Sequence, residues 1–323
     1  MESSGLRKFL IALVMAPLAA FAFKSEDWLA KREILSREAE RLQVAYTSCV
    51  ARIDEPATDV TIPIERHPDG SVKASVTAKK AQVFLEVGMI WGTEVVVTQF
   101  STNGVVEARV EADNCVIDRT TKSGWVEGHA KAFYLGNEVE GDGIYFSFEE
   151  EFVTIYANTK IRVKDQKFDT KVIGGGGKNA VRDAEISARR TDFDRKDGVV
   201  LFDGAVRVAD SEYSLGADML YAFLDGTNSL KSIVADGSVV VTNGTRSGSC
   251  PRAAYVKSLG RVTMYGEPGK PAKLADDGRR HSDVEGRKIS FWLDSEQVEV
   301  EGSTLTVDGV SGGMDDFIGQ AVK

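Results

Sequence analysis

Only three cysteines, seven prolines and three histidines occur among the 323 residues, and each scarcity excludes something. Cys49, Cys115 and Cys250 are odd in number and far apart, so they define no disulfide framework; one bridge with one free thiol stays open. His67, His129 and His281 share no short motif with a cysteine or a carboxylate, so they read as surface histidines and no metal site is expected. A basic excess is also missing, since 40 basic residues face 49 acidic ones for a net charge of −9. Only short pairs such as Arg189-Arg190 and Arg279-Arg280 break that balance, so nucleic acid is not an expected partner. The same balance gives no strong long-range attraction to lipid phosphates, so any headgroup contact must be local.

Enzymatic motifs are lacking too. Residues 174–177 are four glycines followed by Lys178-Asn179, but Val172 stands where a phosphate-binding loop needs its first glycine and Asn179 where it needs Ser or Thr. No strand-to-helix transition follows to supply an anion-binding helix terminus. Glu149, Glu150 and Glu151 read as a solvated turn, and no acid/base pair can be named, whereas an envelope glycosidase would need two carboxylates in a cleft. No enzyme and no cofactor is expected.

One long apolar run is present. Arg7 and Lys8 precede residues 9–23, which close on Ala20-Phe21-Ala22, the three parts of a secretory leader. Residues 1–22 are expected to be a cleaved signal peptide, with an uncleaved membrane anchor as the alternative; either places the rest outside the cytoplasm, the second tethered to the membrane. No cysteine directly follows the run, so a lipid-modified N-terminus is not indicated. Residues 24–52 carry Trp28, Leu35, Leu42 and Cys49 at seven-residue spacing among charged residues, which predicts an amphipathic helix. It would cap the end of a β body or dock a partner.

From residue 71 onward branched and aromatic runs alternate with turn dipeptides such as Asp69-Gly70, Asn103-Gly104, Asp142-Gly143, Asp197-Gly198 and Asp236-Gly237, which read as hairpin turns. The chain also repeats itself. Asp142 and Tyr145 follow Gly128 as Asp218 and Tyr221 follow Gly204, an offset of 76 residues, with Ile117/Phe193, Asp118/Asp194 and Arg119/Arg195 also in register. A third copy begins at Gly286, with Glu301-Gly302 matching Asp236-Gly237. Short strands at a fixed period must stack to bury their apolar faces. Recurrence of Asp142 and Asp218 points to architecture, namely turn or strand-end carboxylates binding backbone donors. Alternation puts Val206 and Val208 on one strand face, Leu215, Met219, Tyr221 and Phe223 in a second stripe, and Ile233, Val239 and Val241 in a third. Leu201 and Leu220 break the pattern, as residues of strands covered on both sides would.

Residues 201–208 (LFDGAVRV), 215–221 (LGADMLY) and 234–241 (VADGSVVV) give in order the three elements of the OstA-like repeat, G-x-V-x-V, A-D-x-L-x-Y and A-x-G-x-V. The chain resembles that family, whose members include the periplasmic lipopolysaccharide-transport proteins LptA and LptC. The resemblance covers about 108–307 and is strongest over 188–241; the first copy departs from it at Ala130 and Gly141. It implies an all-β fold, an elongated twisted β-jellyroll of tandem repeats behind one N-terminal helix. The units would be 53–187 and 188–310, with a tail at 311–323. It further implies a concave interior that shields lipopolysaccharide acyl chains, and head-to-tail edge-strand pairing with other jellyrolls or with itself. Val206, Val208, Leu215, Met219, Tyr221, Phe223, Ile233, Val239 and Val241 are the groove candidates. The alternative is a structural or adhesive envelope protein whose repeats form a closed core.

Overall fold

The computed structural model describes residues 4–134, 137–167, 181–211, 213–226, 229–244, 246–276, 282–292, 297–302 and 304–306, and the side chains of the helix from Asp27 on. Helix α1 (Ser4–Val50) comes first. Strands β1 (Ala57–Arg66), β2 (Val72–Phe84), β3 (Met89–Phe100), β4 (Val106–Asp118), β5 (Ser123–Tyr134), β6 (Asn137–Ser147) and β7 (Phe152–Lys167) follow. Then come β8 (Val181–Ala188), β9 (Arg190–Asp194), β10 (Val199–Ala209), β11 (Tyr213–Leu224), β12 (Leu230–Asn243) and β13 (Arg246–Val256). The last are β14 (Arg261–Tyr265), β15 (Ala272–Asp276), β16 (Ser282–Gly286), β17 (Lys288–Trp292), β18 (Val298–Glu301) and β19 (Thr304–Thr306).

All described pairings are antiparallel, and each strand pairs with its sequence neighbours in one long meander. β8 and β9 are two halves of one bent rung, because β7 pairs with both on one side and β10 with both on the other. β14 with β15 and β16 with β17 are split in the same way. Hydrogen bonding is continuous across residues 187 and 188, where the two repeat units were expected to meet. The tail at 311–323, the glycines at 174–177 and His281 lie outside the described residues.

The bend explains the repeat. Register shifts cross successive rungs between Val126 and His129, Glu140 and Asp142, Asp203 and Val206, and Asp236 and Val239. Gly128, Gly204 and Gly237 sit at three of these places with φ of 78°, 82° and 75°, and Gly302, between β18 and β19, has φ 69°. Each is a left-handed position that a bulge requires and glycine accepts without strain. The recurring glycines, with positive-φ residues such as Asp59, Glu94 and Asn158 on other rungs, fold the rungs over one line, producing two leaves. Asp142-Gly143 and Asp236-Gly237 belong to this line of bends and are not hairpin turns, whereas Gly70, Gly104 and Gly198 do lie between strands at positive φ. A Cβ at Gly237 would stand 2.3 Å from the Asp218 carboxylate oxygen. Gly237→Ala is expected to destabilise the fold by about 1–2 kcal/mol from the left-handed backbone alone, more if Asp218 cannot move; a urea midpoint equal to wild type would contradict this.

Asp142 does not bind backbone donors as expected. It lies inside β6 and accepts from Asn158 Nδ2 at 2.6 Å and from His129 Nδ1 at 2.9 Å, bridging three neighbouring rungs across the bend. All three cysteines are free and buried in separate parts of the core, so the open bridge is not formed.

α1 is one rod running unbroken through the apolar run and the amphipathic segment, and it ends two residues before the expected boundary at 52. Among the described residues no helix is long and apolar enough to cross a membrane. The seven-residue row is buried as expected, with Leu42 fully so and Ala39 joining it. The helix does not cap the end of the sheet. It lies across the outer face of one leaf, against Phe84, Met89, Trp91, Val116, Trp125, Tyr145, Phe152 and Leu201. Leu201 broke the alternation because its strand is indeed covered on both sides.

Ion pairs fix this docking, and two of them come from the repeat. Asp118 accepts from Arg41 Nη2 at 2.6 Å while its other oxygen takes the Thr120 N–H at 2.8 Å. Its counterpart Asp194 accepts from Lys31 Nζ at 2.7 Å and from the Asp197 N–H at 3.0 Å. Burial pushes the Asp118 carboxyl up, but Arg41 and the Thr120 and Thr121 N–H groups outweigh it and hold the carboxyl below the usual range. A folded value below the unfolded one, about 3.9, means that Asp118 contributes in full above pH 4 and that its stabilisation is lost as pH falls through the folded value. Asp118→Asn is therefore expected to flatten the acid limb of stability in denaturant titrations between pH 5 and 2; an unchanged limb would contradict the pairing.

Candidate functional site

Between the two leaves runs an apolar trough, built rung by rung from inward side chains. We call the leaf beneath α1 the backed leaf and the other the open leaf. Near the bend the floor is sealed. Phe202, Leu220, Ala235, Ala253, Met264 and Ile289 of the backed leaf are buried in cross-strand register, opposite buried Val206, Ala217, Val239, Cys250 and Ala272 of the open leaf. Burial pushes the Cys250 thiol up to about 11, as a dry apolar surround should.

Farther from the bend each leaf carries a second row, and there the side chains are half-buried. In the open leaf Val208 pairs with Leu215 and Leu215 with Val241, then Gly248, Leu274 and Val284 continue the row. In the backed leaf Val200, Ala222, Ile233, Tyr255, Val262 and Phe291 run parallel to it. Side chains of both rows pack on the same sealed floor: Val208, Leu215, Val200, Ala222 and Ile233 on one buried cluster, and Val241, Leu274, Val284 and Phe291 on the next. Toward the N-terminus the open-leaf row extends without a break through Ile186, Ile161, Val139, Ala132 and Val110 to Val97 and Val76. At about 4.8 Å per rung, this uncharged lip is several times longer than it is wide.

Of the nine candidates, Val208, Leu215, Ile233 and Val241 stand in the half-buried lips, while Val206 and Val239 belong to the sealed floor. Met219, Tyr221 and Phe223 do not face the trough. Met219 and Tyr221 pack on the outer side with the α1 cluster, and Tyr221 stacks on Phe223 with ring centroids 6.5 Å apart. The cause is the bend. The register shift between Gly216 and Met219 flips every later side chain, so beyond it Leu220 and Ala222 point inward. Strict alternation therefore missed Leu220 and Ala222, and Tyr255 and Val262 continue their row on β13 and β14. Leu220, noted as a break in the pattern, was the signal that located the flip.

The trough is narrow in this conformation. At the N-terminal end, Val60, Ile62, Val76, Ile90, Val95 and Ile117 line a cleft of about 10 Å³, room for a single water. Among the described residues no His, Cys, Asp or Glu cluster could hold a metal ion.

Bent antiparallel rungs enclosing an apolar trough define the chain as an elongated β-jellyroll of stacked repeats. Residues 185–311 match the family model described as the LptA/(LptD N-terminal domain) LPS transport protein. The chain is also similar to the crystal structure of LptH, described as the LptA homologous periplasmic component of the conserved lipopolysaccharide transport device from Pseudomonas aeruginosa. The identity is 15%, covering 39% of this chain and 95% of that one, with a TM-score of 0.34. No curated protein matches the chain.

Proposed function

We propose that the protein is a non-enzymatic periplasmic carrier or bridge that shields the acyl chains of lipopolysaccharide in the trough on their way to the outer membrane. The observation that carries this is the pair of uncharged, half-buried lips along the leaves, within a chain whose residues 185–311 match an LPS-transport family. A sealed structural stack would have no need to leave these rows partly exposed. Acyl chains replacing water along them gain roughly 0.8 kcal/mol per buried methylene, before ordering costs. Partners would join at the ends of the meander, where β1 and the β18/β19 rung each pair on one side only among the described residues. Another jellyroll, or a second copy, would add a strand there. If residues 1–22 are retained, the N-terminal segment tethers this carrier to the inner membrane.

The test is binding of a lauroyl-chain fluorescent probe to Leu215→Asp and Val241→Asp. A lip side chain contributes about 1.5–3 kcal/mol on burial, so each substitution is expected to weaken binding at least about tenfold. Arg207→Asp, on the solvated side of the same leaf, is expected to leave it unchanged. Equal binding by all variants, with unfolding midpoints near wild type, would favour a closed structural core.

A further inference from the structure

We infer that the trough opens by motion of one wall only: the open leaf swings about the line of bends while the backed leaf, held flat by α1, stays fixed. This rests on the carrier role proposed above and adds how the lips part to admit a chain. The two leaves are unequal on their outer faces. From β2 to β11 the outside of the backed leaf is dry beneath α1, and Asp118, Asp192 and Asp194 are buried there against Arg41, Arg32 and Lys31. Moving that leaf would strip an aromatic surface and leave buried carboxylates without partners, the costliest kind of break.

Among the described residues nothing comparable holds the open leaf. Its outer face is charged and solvated, and its ion pairs join neighbouring strands of that same leaf: Arg162 with Glu138 at 3.4 Å, Lys160 with Glu185 at 3.0 Å, Arg246 with Asp276 at 2.8 Å. All of these travel with the leaf. Along the bend the ladder is already interrupted, and residues there adopt positive φ in pairs, Gly204 with Ala205 and Gly237 with Ser238. Interrupted hydrogen bonding makes this the soft line of the sheet. Opening parts the half-buried lips from each other, and an acyl chain seated between them covers both rows again.

Nitroxide labels at Arg207→Cys and Lys231→Cys report the distance between the leaves, and labels at Ile34→Cys and Lys231→Cys report the distance from α1 to the backed leaf. All three positions are exposed, and the three native thiols are buried and unreactive. Dodecyl maltoside below its micelle concentration serves as the acyl probe, with its binding followed by dye displacement. The interleaf distance is expected to lengthen by more than about 2 Å while the distance from α1 stays fixed. Probe binding with a fixed interleaf distance, or with movement of α1, overturns the one-wall motion and leaves the carrier role standing. No probe binding to any variant overturns both.

Discussion

Replacing Asp192 by alanine is expected to remove about 3 kcal/mol of stability, the lower end of the range for breaking a buried ion pair from one side. Asp192 is completely buried, with one oxygen on Arg32 Nε at 2.6 Å and the other on Thr154 Oγ1 at 2.7 Å and Arg190 Nη2 at 3.0 Å. Removing it leaves Arg32 with Asp203 at 3.2 Å and Arg190 with Ser36 at 3.2 Å; both guanidinium groups also keep about a fifth of their surface in water, which limits the loss. Urea unfolding of Asp192→Ala, Arg32→Ala and the double variant measures the effect and the coupling. Additive losses, or a single loss below about 1 kcal/mol, would show that the helix is held by apolar packing alone.

The second large effect is at the middle of that apolar contact. Leu42 is fully buried between α1 and the backed leaf, so Leu42→Ala should cost about 2–5 kcal/mol, from the lost transfer energy and the cavity together. Ile34, on the solvent side of the same helix, should tolerate alanine within about 0.5 kcal/mol. The contrast matters because it separates two roles for α1. If Leu42→Ala were as mild as Ile34→Ala, the helix would rest loosely on the sheet and could not brace one wall of the trough.

Much of this was legible in the sequence because it depends on local rules. The row Trp28, Leu35, Leu42 and Cys49 identified the buried face of the helix, since side chains seven apart share a face whatever they pack against. The 76-residue offset foretold stacked rungs, and its glycines marked the bends. What local rules could not supply was the consequence of bending. Period-two alternation assumes an unbroken strand, so Met219, Tyr221 and Phe223 were placed with Leu215 although β11 crosses the bend in three residues where β12 takes four, which turns them to the opposite face. Likewise, the register of Asp118 with Asp194 was visible, but that both are sockets for cations on α1 depends on a contact between segments far apart in the chain.

Whether hydrocarbon enters between the leaves is decided by photocrosslinking lipopolysaccharide to benzoylphenylalanine placed singly at Leu215, Val241 and Phe223. Adducts are expected at Leu215 and Val241, on the open-leaf lip, and none at Phe223, on the outer face one bend away. Labelling of Phe223 with the lip positions silent would contradict a lipid-bearing trough.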